Sequence, residues 1–215
     1  MKRVLLVAAD GMEDMEIAAI REISGWTKVV EGIEQVDVQI GAWDNSVKLF
    51  HGTNIIPDLN MKDAKVDDYD AIAIPGGWPG TKFFDYTYSD EFADFLREAN
   101  EKNKLIVALC FGILPVANSG ILKGKKATIF TSNTPLMCEE FKGKLIDMGV
   151  EFVETAIHHE GNIISNIGPS VAPEVAFQMV EKLIGSESTQ KVQDMMMWKN
   201  VTPADLKWTF PALQK

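Results

Sequence analysis

A chain of 215 residues with 46% hydrophobic and 24% charged residues fits one domain with some elaboration and can bury a substantial core. Its formal net charge of -10 argues against nucleic acid, whose phosphates demand a basic patch, and against an anionic membrane surface.

The N-terminal apolar run from Val4 to Ala9 is short and stops at Asp10-Gly11, so it reads as a buried first strand and not as a signal peptide. No apolar stretch is long enough to span a bilayer, and a cytoplasmic location is expected. Met15, Ile17, Ile20 and Ile23 recur at near-helical spacing between about Glu13 and Gly25. Val36, Val38 and Ile40 alternate with polar residues as in a strand, and Val47 to Ile56 reads as a hairpin around His51-Gly52. The run Asp70 to Ile74 is a second buried strand, ending in the turn Pro75-Gly76-Gly77-Trp78-Pro79-Gly80. Tyr88 to Asn103 predicts an amphipathic helix, and Leu105 to Leu109 a strand that runs directly into Cys110-Phe111-Gly112. A helix through about Ser119, a strand near Ala127 to Phe130 and a helix over Leu136 to Met148 come next. Val150 to Val153 and Ile163 to Ile164 are β-like, and Val171 to Ile184 is a helix.

Alternation of this kind predicts right-handed βαβ units and an α/β fold: a three-layer αβα sandwich with a mostly parallel, flavodoxin-like sheet. Residues 1–185 form that domain in this reading. The polar run SESTQK after Gly185, the cluster Met195-Met196-Met197-Trp198, and Trp208 and Phe210 form a C-terminal extension, 186–215, that packs on the domain or on a partner subunit. In open parallel sheets, sites lie at the C-terminal ends of the strands. The acidic turn after the first strand, the glycine turn after Ile74, and Cys110 all fall there.

Cys110 stands where a buried strand turns sharply into a helix, with Gly112 relieving the crowding. Such a nucleophile elbow lifts the side chain above the sheet and sets it beside backbone N–H groups that favour a thiolate and an oxyanion. Cys138 has no such setting and reads as a packed residue within a helix. Two cysteines are too few for a disulfide framework and lack metal-ligand spacing; a single bridge stays open, with two free thiols in a reducing compartment expected. No P-loop occurs, and G-x-G-x-x-G is absent after the first strand, so no nucleotide cofactor is indicated and no metal site is expected.

Four ordered motifs carry a resemblance to the ThiJ/PfpI superfamily, with its class I glutamine amidotransferase-like fold. They are DGMEDMEI (Asp10 to Ile17), AIPGGWPG (Ala73 to Gly80), ALCFG (Ala108 to Gly112) and SNIGPS (Ser165 to Ser170). The resemblance implies that Cys110 and Glu16 are catalytic and that the N–H groups of Gly77 and Phe111 form the oxyanion hole. A carboxyl beside a thiolate is expected to be protonated, pairing a raised Glu16 pKa with a lowered Cys110 pKa. The sequence departs from the pattern at the histidines: Phe111 stands where protease-like and glyoxalase-like members carry one, and Phe130 or Thr131 where the deglycase-like branch does. His158-His159 reads as an exposed turn before Gly161. His51 is a candidate pocket residue reaching across from a partner subunit, and Trp78 a candidate apolar wall.

These features imply a cysteine-dependent enzyme on small carbonyl or acyl compounds, glyoxalase-like or amidase-like, with protease activity disfavoured because no group is placed to protonate an amine leaving group. The alternative is a redox or oxidative-stress sensor, or a chaperone-like protein without turnover. The partners implied are a small-molecule substrate and a second copy of the chain in a homodimer, with no nucleic acid and no membrane.

Overall fold

The computed structural model describes the backbone of residues 1–131 and 135–198, and side chains in 1–131 and 140–198. In chain order the strands are β1 (Lys2–Ala8), β2 (Val36–Ala42), β3 (Val47–Lys48), β4 (Asn54–Ile55), β5 (Leu59–Asn60), β6 (Ala71–Ile74), β7 (Leu105–Ala108), β8 (Lys126–Ala127), β9 (Glu151–Phe152), β10 (Ile157–Glu160) and β11 (Ile163–Asn166). The helices are α1 (Asp14–Trp26), α2 (Lys82–Thr87), α3 (Asp90–Glu101), α4 (Ile113–Asn118), α5 (Pro135–Asp147), α6 (Ala172–Ile184) and α7 (Ser186–Met195).

Seven strands form one sheet in the order β10-β11-β7-β6-β1-β2-β5, parallel throughout except for the antiparallel β10–β11 pair at one edge. The apolar run of β1 explains its place near the centre: Val4 to Ala8 are fully buried, with sheet neighbours on both sides and helices on both faces. α1 lays Ile17, Ile20 and Ile23 inward and packs against α6, while α3 packs against α2 and α4. Mostly parallel strands between helices make the α/β sandwich the sequence predicts. Read outward from β2, the order β2-β1-β6-β7-β11 reverses between β1 and β6, and a crevice opens outside the ends of strands at such a switch point.

The structure corrects the expected elements in four places. The helix expected over Tyr88–Asn103 starts two residues later, at Asp90, because Ser89 accepts from the Phe92 N–H and caps α3, and a separate short helix, α2, precedes it. The strand expected to Phe130 ends at Ala127, since the chain then gives its Thr128 N–H to the Ser165 side chain. His158 and His159 are not a turn but lie within β10, paired with Ser165 and Ile164 of β11. SESTQK begins helix α7, whose narrow buried stripe of Thr189, Val192 and Gln193 folds back towards α6. Trp198 sits against Phe177 at 5.2 Å between ring centroids. Trp208, Phe210 and the Cys138 side chain lie outside the described residues. Among those described, no helix is long and apolar enough to cross a membrane.

Candidate active site

β7 ends at Ala108, and two residues later Cys110 adopts φ +52°, one of three non-glycine residues with positive φ in the described chain. L-residues resist that region because Cβ crowds the backbone, so something must hold it there. Two contacts do. The Cys110 N–H donates to Asn166 Oδ1 at 2.7 Å, and the Leu109 N–H donates to the Ile74 carbonyl at 2.9 Å. A short 3-10 turn, Cys110–Gly112, then leads into α4. A Cβ on Gly112 would lie 2.0 Å from the Ile74 carbonyl oxygen, so only glycine lets the elbow close on β6. The sharp turn read from ALCFG is thus present, with strain stored at its cysteine.

Glu16, the third residue of α1, is fully buried. Glu13 caps the helix, its Oε2 accepting from the Glu16 N–H at 3.0 Å, which fixes the first turn and aims Glu16 across the crevice. There its Oε2 accepts from the Gly76 N–H at 2.7 Å. Its Oε1 has no partner in hydrogen-bond geometry among the described residues, and the Cys110 thiol interacts with the carboxyl group. Burial raises Glu16 to about 8, and the charge of Glu13 adds to this against the Gly76 N–H. At neutral pH the carboxyl is therefore protonated and has an O–H to donate.

The thiol does not follow the expected half of the pattern. Burial pushes Cys110 up, the charge of Glu16 when ionised adds to it, and the Phe111 N–H opposes both. With only 7% of the residue exposed and carboxyls as its charged neighbours, no cation among the described residues favours the thiolate. The sequence signals a strand-end cysteine but not the depth of its cover.

Of the two N–H groups assigned to an oxyanion, Phe111 N–H lies beside the sulfur. In the glycine turn it is Gly76 that touches the nucleophile: a Cβ there would be 3.1 Å from Sγ and 2.9 Å from the Phe111 nitrogen. Gly77 follows it, with its own missing Cβ facing the Phe83 ring at 2.3 Å. Its N–H makes no hydrogen bond among the described residues.

The first of the two histidine positions is filled by an apolar ring. Phe111 is buried, edge-on to Phe130 at 5.4 Å and against Phe141 at 4.5 Å. His51 is largely exposed and approaches Glu13 of its own chain, Nε2 to Oε1 3.5 Å, while its N–H donates to Asp14 Oδ2 at 2.8 Å. Trp78 stacks on Phe50 at 4.5 Å and lines an apolar cleft. Among the described residues no cluster of three or more His, Cys, Asp or Glu side chains is arranged to hold a metal.

Sequence reasoning missed Asn166. It sits fully buried at the end of β11, accepting from both the Cys110 N–H and, at 3.3 Å, the Gly168 N–H. An asparagine closing the apolar strand Ile163–Asn166 was the available signal, since a buried amide needs partners.

Known proteins place this arrangement. The chain is 32% identical over 188 residues to protein DJ-1 homolog B of Arabidopsis thaliana, covering 86% of the chain but 39% of that longer protein. It is 26% identical over 189 residues to the glutathione-independent glyoxalase DJR-1.2 of Caenorhabditis elegans, covering 88% and 92% of the two chains. The crystal structure of Drosophila melanogaster DJ-1beta superposes with a TM-score of 0.77 at 24% identity, over 91% of this chain and 97% of that one. The model of the DJ-1/PfpI family matches residues 2–182, from the first strand almost to the end of α6 and so across Glu16, the glycine turn and the cysteine elbow: the chain belongs to the DJ-1/PfpI family.

Proposed function

We propose that this protein is a cysteine-dependent enzyme converting small 2-oxoaldehydes to 2-hydroxy acids, a glyoxalase-like reaction. The observation that carries the reading is the pairing of a strained strand-end cysteine with a buried glutamic acid raised to about 8, without a histidine beside them. The likeness to the glyoxalase DJR-1.2 supports it.

In this mechanism the Cys110 sulfur adds to the aldehyde carbon and the thiol proton passes to the carbonyl oxygen, giving a hemithioacetal. The N–H groups of Phe111 and Gly77 hold that oxygen while it carries charge. Glu16, as carboxylate, takes the proton from the former aldehyde carbon and returns it to the neighbouring carbonyl carbon, while the hydroxyl proton passes from the first oxygen to the second, leaving a 2-hydroxy thioester on Cys110. The first carbon is oxidised and the second reduced, so no external redox partner is needed. Water then cleaves the thioester, releasing the 2-hydroxy acid and restoring the thiol. A proton moved between adjacent carbons requires one base, whereas amide hydrolysis also requires an acid for the departing amine. A phenylalanine at 111, with Phe130 or Thr131 at the second histidine position, is therefore compatible with the first reaction and unfavourable to proteolysis.

Homodimer formation belongs to the same reading. Exposed Met15 and Ile56, beside an apolar hollow between α1 and the β3–β4 hairpin, support it.

Methylglyoxal turnover by the protein and by Cys110→Ser tests the proposal. Turnover should require Cys110 and rise with pH through about 8, because the reactive pair has lost one proton. Equal rates in the two proteins, or none in either with methylglyoxal or larger 2-oxoaldehydes, would overturn it.

A further inference from the structure

Between the glycine turn and α5 lies a cleft of about 700 Å³ that the mechanism leaves unused. Its lining is aromatic and apolar: Phe50, Trp78, Phe84, Tyr88, Phe141 and Met148. Four separate segments supply these side chains: the hairpin, the glycine turn, α2 with the residue that ends it, and α5 with the residue after it. Phe50 and Trp78 stack at 4.5 Å with an interplanar angle of 19°, and Phe84 lies parallel to Phe141 at 6.0 Å. Broad flat faces of this kind complement a planar ring.

Two chain connections tie the cleft to the reacting atoms. Trp78 follows Gly77, whose other neighbour, Gly76, packs against Cys110 Sγ. On the far side Phe141 touches the ring of Phe111, the residue next to Cys110, at 4.5 Å. Glu140 and Lys144, also in the lining, neutralise each other across 2.7 Å, with Lys144 Nζ over the Phe141 ring at 4.5 Å, so these two side chains bring no net charge to the cleft.

Resting on the 2-oxoaldehyde reading, we infer that the substrate carries a neutral aryl group, which this cleft holds while Cys110 meets the aldehyde carbon. A three-carbon oxoaldehyde leaves the space unfilled. An arylglyoxal places its ring among the six side chains and its two carbonyls towards the elbow. The same aromatic ring system that displaces histidine at position 111 thereby contributes to selection of the substrate.

The test has two arms. In the first, kcat/KM is measured for phenylglyoxal and methylglyoxal with the wild-type protein and with Phe50→Ala, a change at a half-exposed position that leaves the core intact. Phenylglyoxal should be favoured roughly tenfold or more, as expected when an apolar group fills a matching pocket. The preference should fall several-fold in Phe50→Ala through KM. In the second, binding of acetophenone, which has the ring but no aldehyde, is titrated calorimetrically into Cys110→Ser and Cys110→Ser/Phe50→Ala. Saturable binding weakened about tenfold by the second substitution supports the cleft whether or not turnover occurs. Cys110-dependent turnover with no aryl preference, or absence of saturable acetophenone binding, overturns the inference; the former result leaves the 2-oxoaldehyde reading standing. Acetophenone binding without Cys110-dependent turnover of either aldehyde overturns the reading and leaves an aryl-binding cleft.

Discussion

A carboxyl enclosed away from water, with one backbone N–H on one oxygen and a thiol nearby, gives position 16 a measurable effect on folding. In the unfolded chain Glu16 ionises near 4.5, whereas in the folded protein it holds its proton to about 8. Between those values the unfolded state sheds a proton that the folded state keeps, so stability falls as pH rises. The full contribution is present below 4.5, is lost progressively to about 8, and changes no further above. At about 1.4 kcal/mol per pKa unit, the loss between pH 5 and pH 8 is about 3 kcal/mol. Glu16→Gln cannot titrate, and its amide can still accept from Gly76 and donate to the sulfur. Urea denaturation at the two pH values should show wild-type stability falling by about 3 kcal/mol more than that of the variant. Parallel pH profiles would mean the carboxyl is ionised in the folded protein. Cys110 was legible from its place at a strand end, whereas Glu16 was singled out by the likeness of DGMEDMEI to the family motif, since an acid in a first helical turn is commonplace. The thiol's raised pKa was not legible, since it depends on side chains packed over the elbow from distant parts of the chain.

At the scale of elements, the elbow depends on a strand, β11, that the sequence marks as β-like at Ile163 and Ile164 but not as far as Asn166. β11 runs parallel to β7 and ends one register step beyond Ala108, so Asn166 can reach the backbone of Cys110. Replacing it with alanine leaves the buried N–H groups of Cys110 and Gly168 without their acceptor. Asn166→Ala should cost about 2–4 kcal/mol by chemical denaturation and lower kcat more than it raises KM, because the sulfur loses its fixed position. A fall in KM with kcat unchanged would show that the asparagine does not position the nucleophile. Parallel strand interiors announce themselves as unbroken apolar runs, which is why β1, β6 and β7 were plain from residues alone. The edge strand β10, with polar His158, His159 and Glu160, has no such pattern and takes its form from the ladder with β11.

For the molecule as a whole, the order of strands and helices made the sandwich readable, while the course of the chain after Gly185 was obscured by its polar composition. α7 has one fully buried apolar residue, Val192, and that contact ties it to the rest of the protein. Val192→Ala should lower stability by about 1–3 kcal/mol within a single cooperative transition, followed by circular dichroism and tryptophan fluorescence together. Separate transitions by the two probes would show that α7 melts independently of the sandwich.

The parallel sheet also divides the protein into a working end and a handling end. The acidic turn, the glycine turn and the cysteine elbow all follow the ends of strands. The links that start strands, at Gln35, at Asn103-Lys104 and at Gly161-Asn162, gather at the opposite rim, where the Asn162 side chain donates to the Lys104 carbonyl. A dye, a tether or an inserted peptide placed at Asn103 or Gly161 sits a full strand length from the sulfur. That rim is therefore the place to immobilise or label the protein while its chemistry is measured.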